Sequence, residues 1–192
     1  MKFPDQTKIT KLTITLAAFL IIVAMAFWLG KTAGENEQIQ QFILRFGYFG
    51  IFLASLLSGI NIIVPVPAVS FVPAFVQAGH NIWLTMGLIA IGVTLGDSIG
   101  FLIGAMGREI ILIKSAKRVE RLEKLRQRYH WAPLVLLLLF AAFIPFPNEV
   151  LVIPLAIMGY KWLQLAPILF LGNSAFTIAA GYGFVNLFEL IF

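Results

Sequence analysis

The chain has 192 residues, of which 60% are hydrophobic and 12% are charged, and its mean hydropathy is +0.93. Soluble domains have roughly 45–50% apolar and 25% charged residues, so this composition excludes an ordinary soluble domain and predicts one integral membrane domain over residues 1–192. With no cysteine and only two histidines, disulfides and a thiol nucleophile are excluded, and no metal or cofactor is expected. Motifs for nucleotide binding or hydrolysis are missing too, so no enzyme activity is expected.

The first predicted element is a membrane span over residues 12–29. This apolar run exceeds the roughly 7–15 residues of a signal-peptide core, which indicates a retained span. Lys2, Lys8 and Lys11 precede it, and the positive-inside rule therefore predicts a cytoplasmic N-terminus. Residues 35–46 would then be external and partly amphipathic.

Residues 47–79 are too few for two complete spans, which would need roughly 40 residues plus a turn. They contain Pro65 and Pro67 in the middle of an apolar stretch. Proline lacks an N–H and breaks helices, and broken helices within a bilayer occur only where they are buried in protein or line a watery cavity. The pattern predicts a re-entrant hairpin that is broken at residues 61–67, where Asn61 lies.

The next predicted span, residues 82–106, contains a stripe of small residues on one helix face. Its members recur at every fourth position and are Gly92, Gly96, Gly100 and Gly104. Such a stripe lets another helix approach closely. It predicts packing against a hairpin or against a second copy of the chain in a homo-oligomer.

Residues 108–130 carry the positive charge of the protein. Eight basic and three acidic residues lie between positions 108 and 128, which equals the net charge of +5 of the whole chain. The spacing predicts an amphipathic cytoplasmic helix with a basic face that includes Lys117, Arg121 and Lys124. This face either sets the topology or gathers the head groups of anionic membrane lipids, and Arg108 either marks the interface or binds a head group. Nucleic acid is not an expected partner, because the aromatic residues lie in the apolar spans.

A second hairpin is predicted at residues 131–159, with Pro145 and Pro147, followed by a span at residues 162–188. Its prolines lie eighty residues after Pro65 and Pro67, and Gly79 and Gly159 have the same spacing. We therefore predict an all-α polytopic membrane protein with an inverted repeat, two re-entrant hairpins, three spanning helices and the basic helix. The repeats cover about residues 45–107 and 131–190.

Two acids in apolar surroundings are the candidate coupling residues. Glu149 follows the second proline pair, and Asp97 lies near the middle of the span at residues 82–106. A carboxylate in such a place is costly unless it is paired, hydrated or protonated, which suits substrate binding or proton coupling. The structural alternatives are that Glu149 and Asn148 cap a helix and that Asp97 satisfies free backbone amides. Asn61 and Asn173 could line a path or satisfy hairpin backbone groups.

Three motifs resemble those of a known family, over about residues 45–184. They are Phe46-Gly47-Tyr48-Phe49-Gly50, Pro65-Val66-Pro67, and Gly96-Asp97 with a Gly107-Arg108 ending. The chain in these stretches resembles the DedA/VTT (SNARE-associated Golgi protein) membrane family. That resemblance implies a flippase or scramblase for an anionic lipid, a phospholipid or a polyprenyl phosphate, with proton coupling in some members. It also implies a multi-pass protein of a prokaryotic cytoplasmic membrane.

The chain departs from the family pattern in both hairpins. Val69 stands where the family has the acid of Pro-x-Pro-x-Glu, whereas the second hairpin has this motif complete and ends it at Glu149. Ala142 and Asn148 replace two arginines of many bacterial members. The second half also resembles the small multidrug export family. Two alternatives therefore stand beside lipid transport, namely proton-coupled export of small cationic or drug-like compounds and a non-transport membrane scaffold.

Overall fold

The computed structural model describes residues 35–60, 68–114 and 131–191, and shorter pieces at residues 17, 21, 24–29, 31–32, 120, 124 and 127–129. Most of the predicted first span lies outside the described residues. Five of the predicted functional residues do so as well: Asn61, Pro65, Pro67, Lys117 and Arg121.

The described part of the chain is helical and contains no strand. In chain order, the elements of residues 35–114 and 131–191 are α1 (Glu37–Ser58), a 3-10 turn (Ala68–Phe71), α2 (Val72–Gln77), α3 (Ile82–Lys114), α4 (Ala132–Phe143), α5 (Glu149–Ile157) and α6 (Trp162–Ile191). The all-α class is confirmed.

Three of the described helices are long and apolar enough to cross a membrane: Gln40–Ser58, Ile82–Ile110 and Trp162–Ile191. This is compatible with a membrane protein. The second and third coincide with predicted spans, but the first falls on the segment that was predicted to be an external stretch and a hairpin arm. Helix α3 also continues past Met106 to Lys114, so Arg108 lies within the helix and not at its end.

Helix α1 is broken at Gly47, which has a φ of 52° and a ψ of −158°. Only glycine adopts a positive φ of this kind without strain. The helical part after the kink, residues 48–58, is about 16 Å long at 1.5 Å per residue. It therefore covers only about half of a hydrocarbon core of roughly 30 Å.

The second helical break lies between α4 and α5. Ile144 is extended, with a φ of −108° and a ψ of 115°, because a residue before proline is kept out of the helical region. Residues 144–148, which include Pro145 and Pro147, are not helical, and the helix resumes at Glu149. Helices α4 and α5 are about 18 and 14 Å long, so neither crosses a bilayer alone.

The eighty-residue register of the sequence is also present in the backbone. Helices α2 and α5 end eighty residues apart, and each is followed by a glycine with positive φ, Gly79 at 98° and Gly159 at 88°. The turns have the same hydrogen bonds: the N–H of His80 donates to Phe75 O at 3.0 Å, and the N–H of Tyr160 donates to Leu155 O at 3.1 Å. Both are Schellman-type helix ends.

Helix α3 packs against α1, α5 and α6, while α2 and α4 also pack against α6. Each half has its own hydrophobic cluster: one is centred on Ile51, Val72 and Met86, and the other is formed by residues of α4, α5 and α6 around Leu137 and Leu165. The polar side chains of the candidate functional site lie where the two halves meet.

The glycine stripe of α3 contacts two different helices. A Cβ added at Gly92 would lie 2.6 Å from Ser55 Cβ, and one at Gly96 would lie 2.5 Å from Gly59 Cα, both at the end of the α1 segment. A Cβ at Gly104 would lie 2.6 Å from Ile153 O in α5. Helix α1 thus packs on the glycine face of α3 near Gly92 and Gly96, and α5 packs on the same face near Gly104.

Candidate functional site

A cluster of five polar side chains is buried about halfway along α3. Thr94 and Asp97 belong to α3, Asn148 and Glu149 lie at the start of α5, and Asn173 belongs to α6. Asp97 is fully buried, and the other four are at most 6% exposed. The structure therefore brings together four of the predicted coupling residues and adds Thr94.

Asp97 is held by two amide groups. Its Oδ2 accepts hydrogen bonds from Asn148 Nδ2 and from Asn173 Nδ2, each at 3.0 Å. Its Oδ1 is also buried and has no hydrogen-bond partner in the part of the chain that the structure describes. One carboxylate oxygen is thus saturated, whereas the other is available to bind a proton or a ligand.

Asn173 connects the cluster to α3 at a second point. Its Nδ2 donates to Thr94 Oγ1 at 3.0 Å, and its Oδ1 accepts from Asn148 Nδ2 at 2.9 Å. The Thr94 hydroxyl in turn donates to the carbonyl of Ala90 at 2.8 Å. All four hydrogens of the two asparagine amides are used, so a single connected network joins α3, α5 and α6.

The predicted capping role of Asn148 is wrong for its side chain. Asn148 occupies the N-cap position of α5, but its side chain makes no capping hydrogen bond. The amide points to Asp97 and Asn173 instead. A capping side chain must bond a backbone N–H of the next turn, which this geometry excludes.

Glu149 lies against α3 at Gly100. A Cβ added at Gly100 would lie 2.7 Å from Glu149 Cγ, so the missing side chain provides the space that the glutamate occupies. Gly100 is about one helical turn from Asp97 along α3. The glycine stripe thus also accommodates a buried acidic side chain, in addition to packing helices.

The charged residues near the network are acidic. The sequence has no Lys or Arg in residues 46–107, 131–160 or 162–192, and the acids in these ranges are Asp97, Glu149 and Glu189. Two carboxyl groups among neutral amides can bind a proton or another cation. They offer no positive group that would pair with a phosphate.

Two of the four predicted basic residues, Arg108 and Lys124, belong to the described part of the chain. Arg108 is eleven residues beyond Asp97 on α3, about 17 Å along the helix axis. Lys124 is exposed and pairs with Glu120 at 2.7 Å, and its hydrogen bond lowers the pKa of Glu120. Pro145 and Pro147 contribute to the site indirectly, because the break they cause ends at Asn148.

Thr94 was not among the residues predicted from the sequence. The sequence did contain a signal for it: Thr94 is three residues before Asp97, which places the two side chains on the same face of α3. The two halves also differ here, because the eighty-residue register matches Asp97 with Thr177 and Glu149 with Val69, which are 3% and 4% exposed. The pair of acids is thus present as Asp97 and Glu149, whereas the equivalent pair of positions has Thr177 and Val69.

In comparisons with known proteins, no family model, no characterised protein and no solved structure matches the chain.

Proposed function

We propose that this protein is a proton-coupled membrane transporter in which Asp97 and Glu149 bind the coupling proton. The observation that supports this most is the full burial of Asp97, with two amides on Oδ2 and no described partner on Oδ1. An ionised carboxylate is strongly disfavoured in such a place. A second carboxyl group nearby adds repulsion when both are charged, so the pair would hold one proton between them.

The lengths of the helices support re-entrant hairpins as the moving parts. The segment at residues 48–58, α4 and α5 each reach about half of a bilayer. Gly59, just after α1, contacts α3 at Gly96, and α5 begins at Glu149 against Gly100, one turn away. In an inverted repeat, the two hairpins would open the Asp97 network in turn to opposite sides of the membrane.

The acidic network favours small cationic or drug-like compounds as the cargo. A cation and a proton would compete for the same carboxyl groups, and this competition is a simple way to couple export to proton entry. We propose a cytoplasmic N-terminus, following the distribution of basic residues, and a prokaryotic cytoplasmic membrane, following the resemblance to the DedA/VTT family.

Transport of an anionic lipid, as in the DedA/VTT family, is the second candidate. It rests on the basic segment at residues 108–128, part of which is helical at residues 120, 124 and 127–128. In this case the basic face would gather head groups, and the proton pair would drive the movement of the hairpins.

The test uses protein reconstituted in vesicles with a pH-sensitive dye inside. We expect an added lipophilic quaternary ammonium compound, which has a fixed charge and cannot cross the bilayer as a neutral base, to release protons from acid-loaded vesicles with the native chain and with Glu189→Gln, which changes an exposed acid of α6. Asp97→Asn and Glu149→Gln each remove a carboxyl group for which the proton and the cation would compete, so neither variant should show this proton flux. Labelled phosphatidylglycerol in parallel vesicles tests lipid flipping. If both neutral variants release protons like the native chain, the acids are not the coupling site, and if neither cargo moves, the scaffold alternative is favoured.

A further inference from the structure

A groove between α3 and α6 opens on the outer surface of these two helices. Its walls are mostly apolar, and they are formed by Trp83, Met86, Gly87, Ala90, Ser174 and Ile178. Trp83 and Ile178 are exposed at its rim, whereas Met86 and Ala90 are buried at its floor. The groove has a volume of about 110 Å³. A cavity of about 150 Å³ in another protein holds a benzene ring, so this groove accepts one chain or ring but not a whole lipid.

The groove exists because a small residue leaves space on α3. A Cβ added at Gly87 would meet no atom within 4 Å. The helices are much closer at a neighbouring point, where a Cβ added at Gly181 would lie 2.6 Å from Met86 Cε. Helices α3 and α6 therefore touch at Met86 and are separated beside Gly87.

An aromatic pair lies at the outer end of the groove. The rings of Trp83 and Tyr182 have centroids 5.7 Å apart and meet at an interplanar angle of 69°. Trp83 is the second residue of α3, and Tyr182 lies about 30 Å along α6 from its start at Trp162. Both rings thus belong near one membrane face, where Trp and Tyr are enriched in membrane proteins. The face of such a ring attracts an organic cation.

The inner end of the groove adjoins the polar network. Thr94 is one turn after Ala90 on α3, and Asn173 immediately precedes Ser174 on α6. The Thr94 hydroxyl donates to the Ala90 carbonyl at 2.8 Å and accepts from Asn173 Nδ2 at 3.0 Å. Asp97 lies about 10 Å beyond Ala90 along the axis of α3. The groove and the network are therefore consecutive parts of the same contact between α3 and α6.

The chemistry of the groove selects its occupant. An uncharged lipid tail would gain little there, because the bilayer around it is just as apolar. A tail linked to a positive charge would also gain from the carboxyl groups of Asp97 and Glu149 beyond the inner end, and from the ring of Trp83 at the outer end. The chain has no Lys or Arg in residues 46–107 or 162–192 that would repel such a charge.

We propose that the groove binds the apolar tail of an amphiphilic organic cation that enters from the bilayer, with its charged group directed to Asp97. This inference rests on the proposed function, because it takes the Asp97 network as the cation site. It adds the route, in which the cation enters sideways between α3 and α6. The tail then lies between Trp83 and Ala90, and the charged group passes Thr94 to reach the carboxyl groups.

The test is quenching of tryptophan fluorescence in lipid nanodiscs by a quaternary ammonium compound that is brominated at the end of its alkyl chain. Of the four tryptophans, Trp28, Trp131 and Trp162 are replaced by Phe, so that Trp83 reports the groove. A second protein keeps only Trp131, which is 67% exposed and reports entry of the compound into the lipid. We expect saturable quenching of Trp83 and unsaturated quenching of Trp131. An uncharged analogue, with carbon in place of nitrogen, should not give saturable quenching of either.

Two glycine-to-leucine substitutions are matched variants. Gly87→Leu places a side chain in the groove and should raise the half-saturating concentration by about tenfold or more. Gly183→Leu also adds a side chain where a Cβ would meet no atom within 4 Å, but Gly183 does not line the groove, so binding should stay unchanged. Asp97→Asn should weaken binding as well, because it removes the charge that attracts the cation.

The inference is overturned if Trp83 and Trp131 are quenched alike, if Gly87→Leu or Asp97→Asn binds like the native chain, or if the uncharged analogue also saturates. The analogue is tested without a groove variant, so it decides the matter even if Gly87→Leu does not fold. Proton release from vesicles separates this inference from the proposed function. Normal release with Gly87→Leu would reject the groove and retain coupled transport, whereas saturable quenching of Trp83 without proton release would retain the groove and reject the coupling.

Discussion

The side-chain amide of Asn148 lies 3.0 Å from the Oδ2 atom of Asp97, although the two residues are 51 positions apart in the chain. Asn148 ends the helical break that contains Pro145 and Pro147, and Asp97 is in the continuous helix α3. The start of α5 therefore provides a hydrogen-bond donor to Asp97 Oδ2, an atom to which no residue of α3 itself donates. This contact ties the position of the start of α5 to Asp97.

Replacement of Asn173 should destabilise the protein more than replacement of a surface asparagine. Asn173→Ala removes a donor to Asp97 and a donor to Thr94, and leaves buried polar atoms unpaired. The expected loss is about 1–3 kcal/mol for each group left unsatisfied. Thermal unfolding in detergent measures it, with Asn186→Ala, on the exposed part of the same helix, as the control. Equal melting temperatures for the two variants would show that the network contributes nothing to stability.

Alanine substitutions along α3 should rank by the contact that the new Cβ meets. Gly96→Ala meets the Gly59 backbone at 2.5 Å and should be the most harmful, because backbone cannot move aside as a side chain can. Gly100→Ala meets Glu149 Cγ at 2.7 Å, and Gly107→Ala meets nothing closer than 3.9 Å. Overpacking of this kind costs about 1–3 kcal/mol. Melting temperatures should follow this order, and a uniform effect at all three positions would argue against close packing of the stripe.

The length of the Glu149 side chain should matter for coupling as well as its charge. Glu149→Asp keeps a carboxyl group but withdraws it from Gly100, so we expect part of the proton flux to remain. Glu149→Gln keeps the shape and loses the titrating group, so the flux should stop while the fold persists. Initial rates of proton release in vesicles measure both, and circular dichroism monitors folding. A Gln variant that couples normally while the Asp variant fails would assign Glu149 a purely steric role.

The two hairpins should be reached by water from opposite membrane faces if the repeat is inverted. Because the chain has no cysteine, single cysteines can be placed at Ile60, next to the break predicted at residues 61–67, and at Phe146, within the non-helical residues 144–148. An impermeant thiol reagent added to oriented vesicles should label position 60 from the external side and position 146 from the cytoplasmic side. Leu171→Cys, in the middle of α6 and exposed towards lipid, should label from neither. Labelling of both hairpins from one face would contradict the inverted arrangement.

Local features of the protein could be predicted from its sequence because they depend on neighbouring residues. Hydropathy indicated the helical membrane class and the starts of α3 and α6 at Ile82 and Trp162, and the prolines indicated the break before Asn148. The helical residues of α3 beyond Met106, which continue at least to Lys114, could not be obtained in this way, because hydropathy reports where lipid ends but not where a helix ends.

The candidate site, like the fold, could be predicted from the sequence only in part. Burial of Asp97 and Glu149 followed from their apolar neighbours in sequence. The shared hydrogen bonds of Asn148 and Asn173, and the space at Gly100 that Glu149 occupies, depend on which helices meet at the middle of α3. Asn148 shows the reason: the residues near it in the chain favour a helix cap, and the residues near it in space provide a carboxylate and an amide. Local propensity therefore determined where the helices begin, whereas only tertiary packing decided which polar groups share a buried hydrogen-bond network.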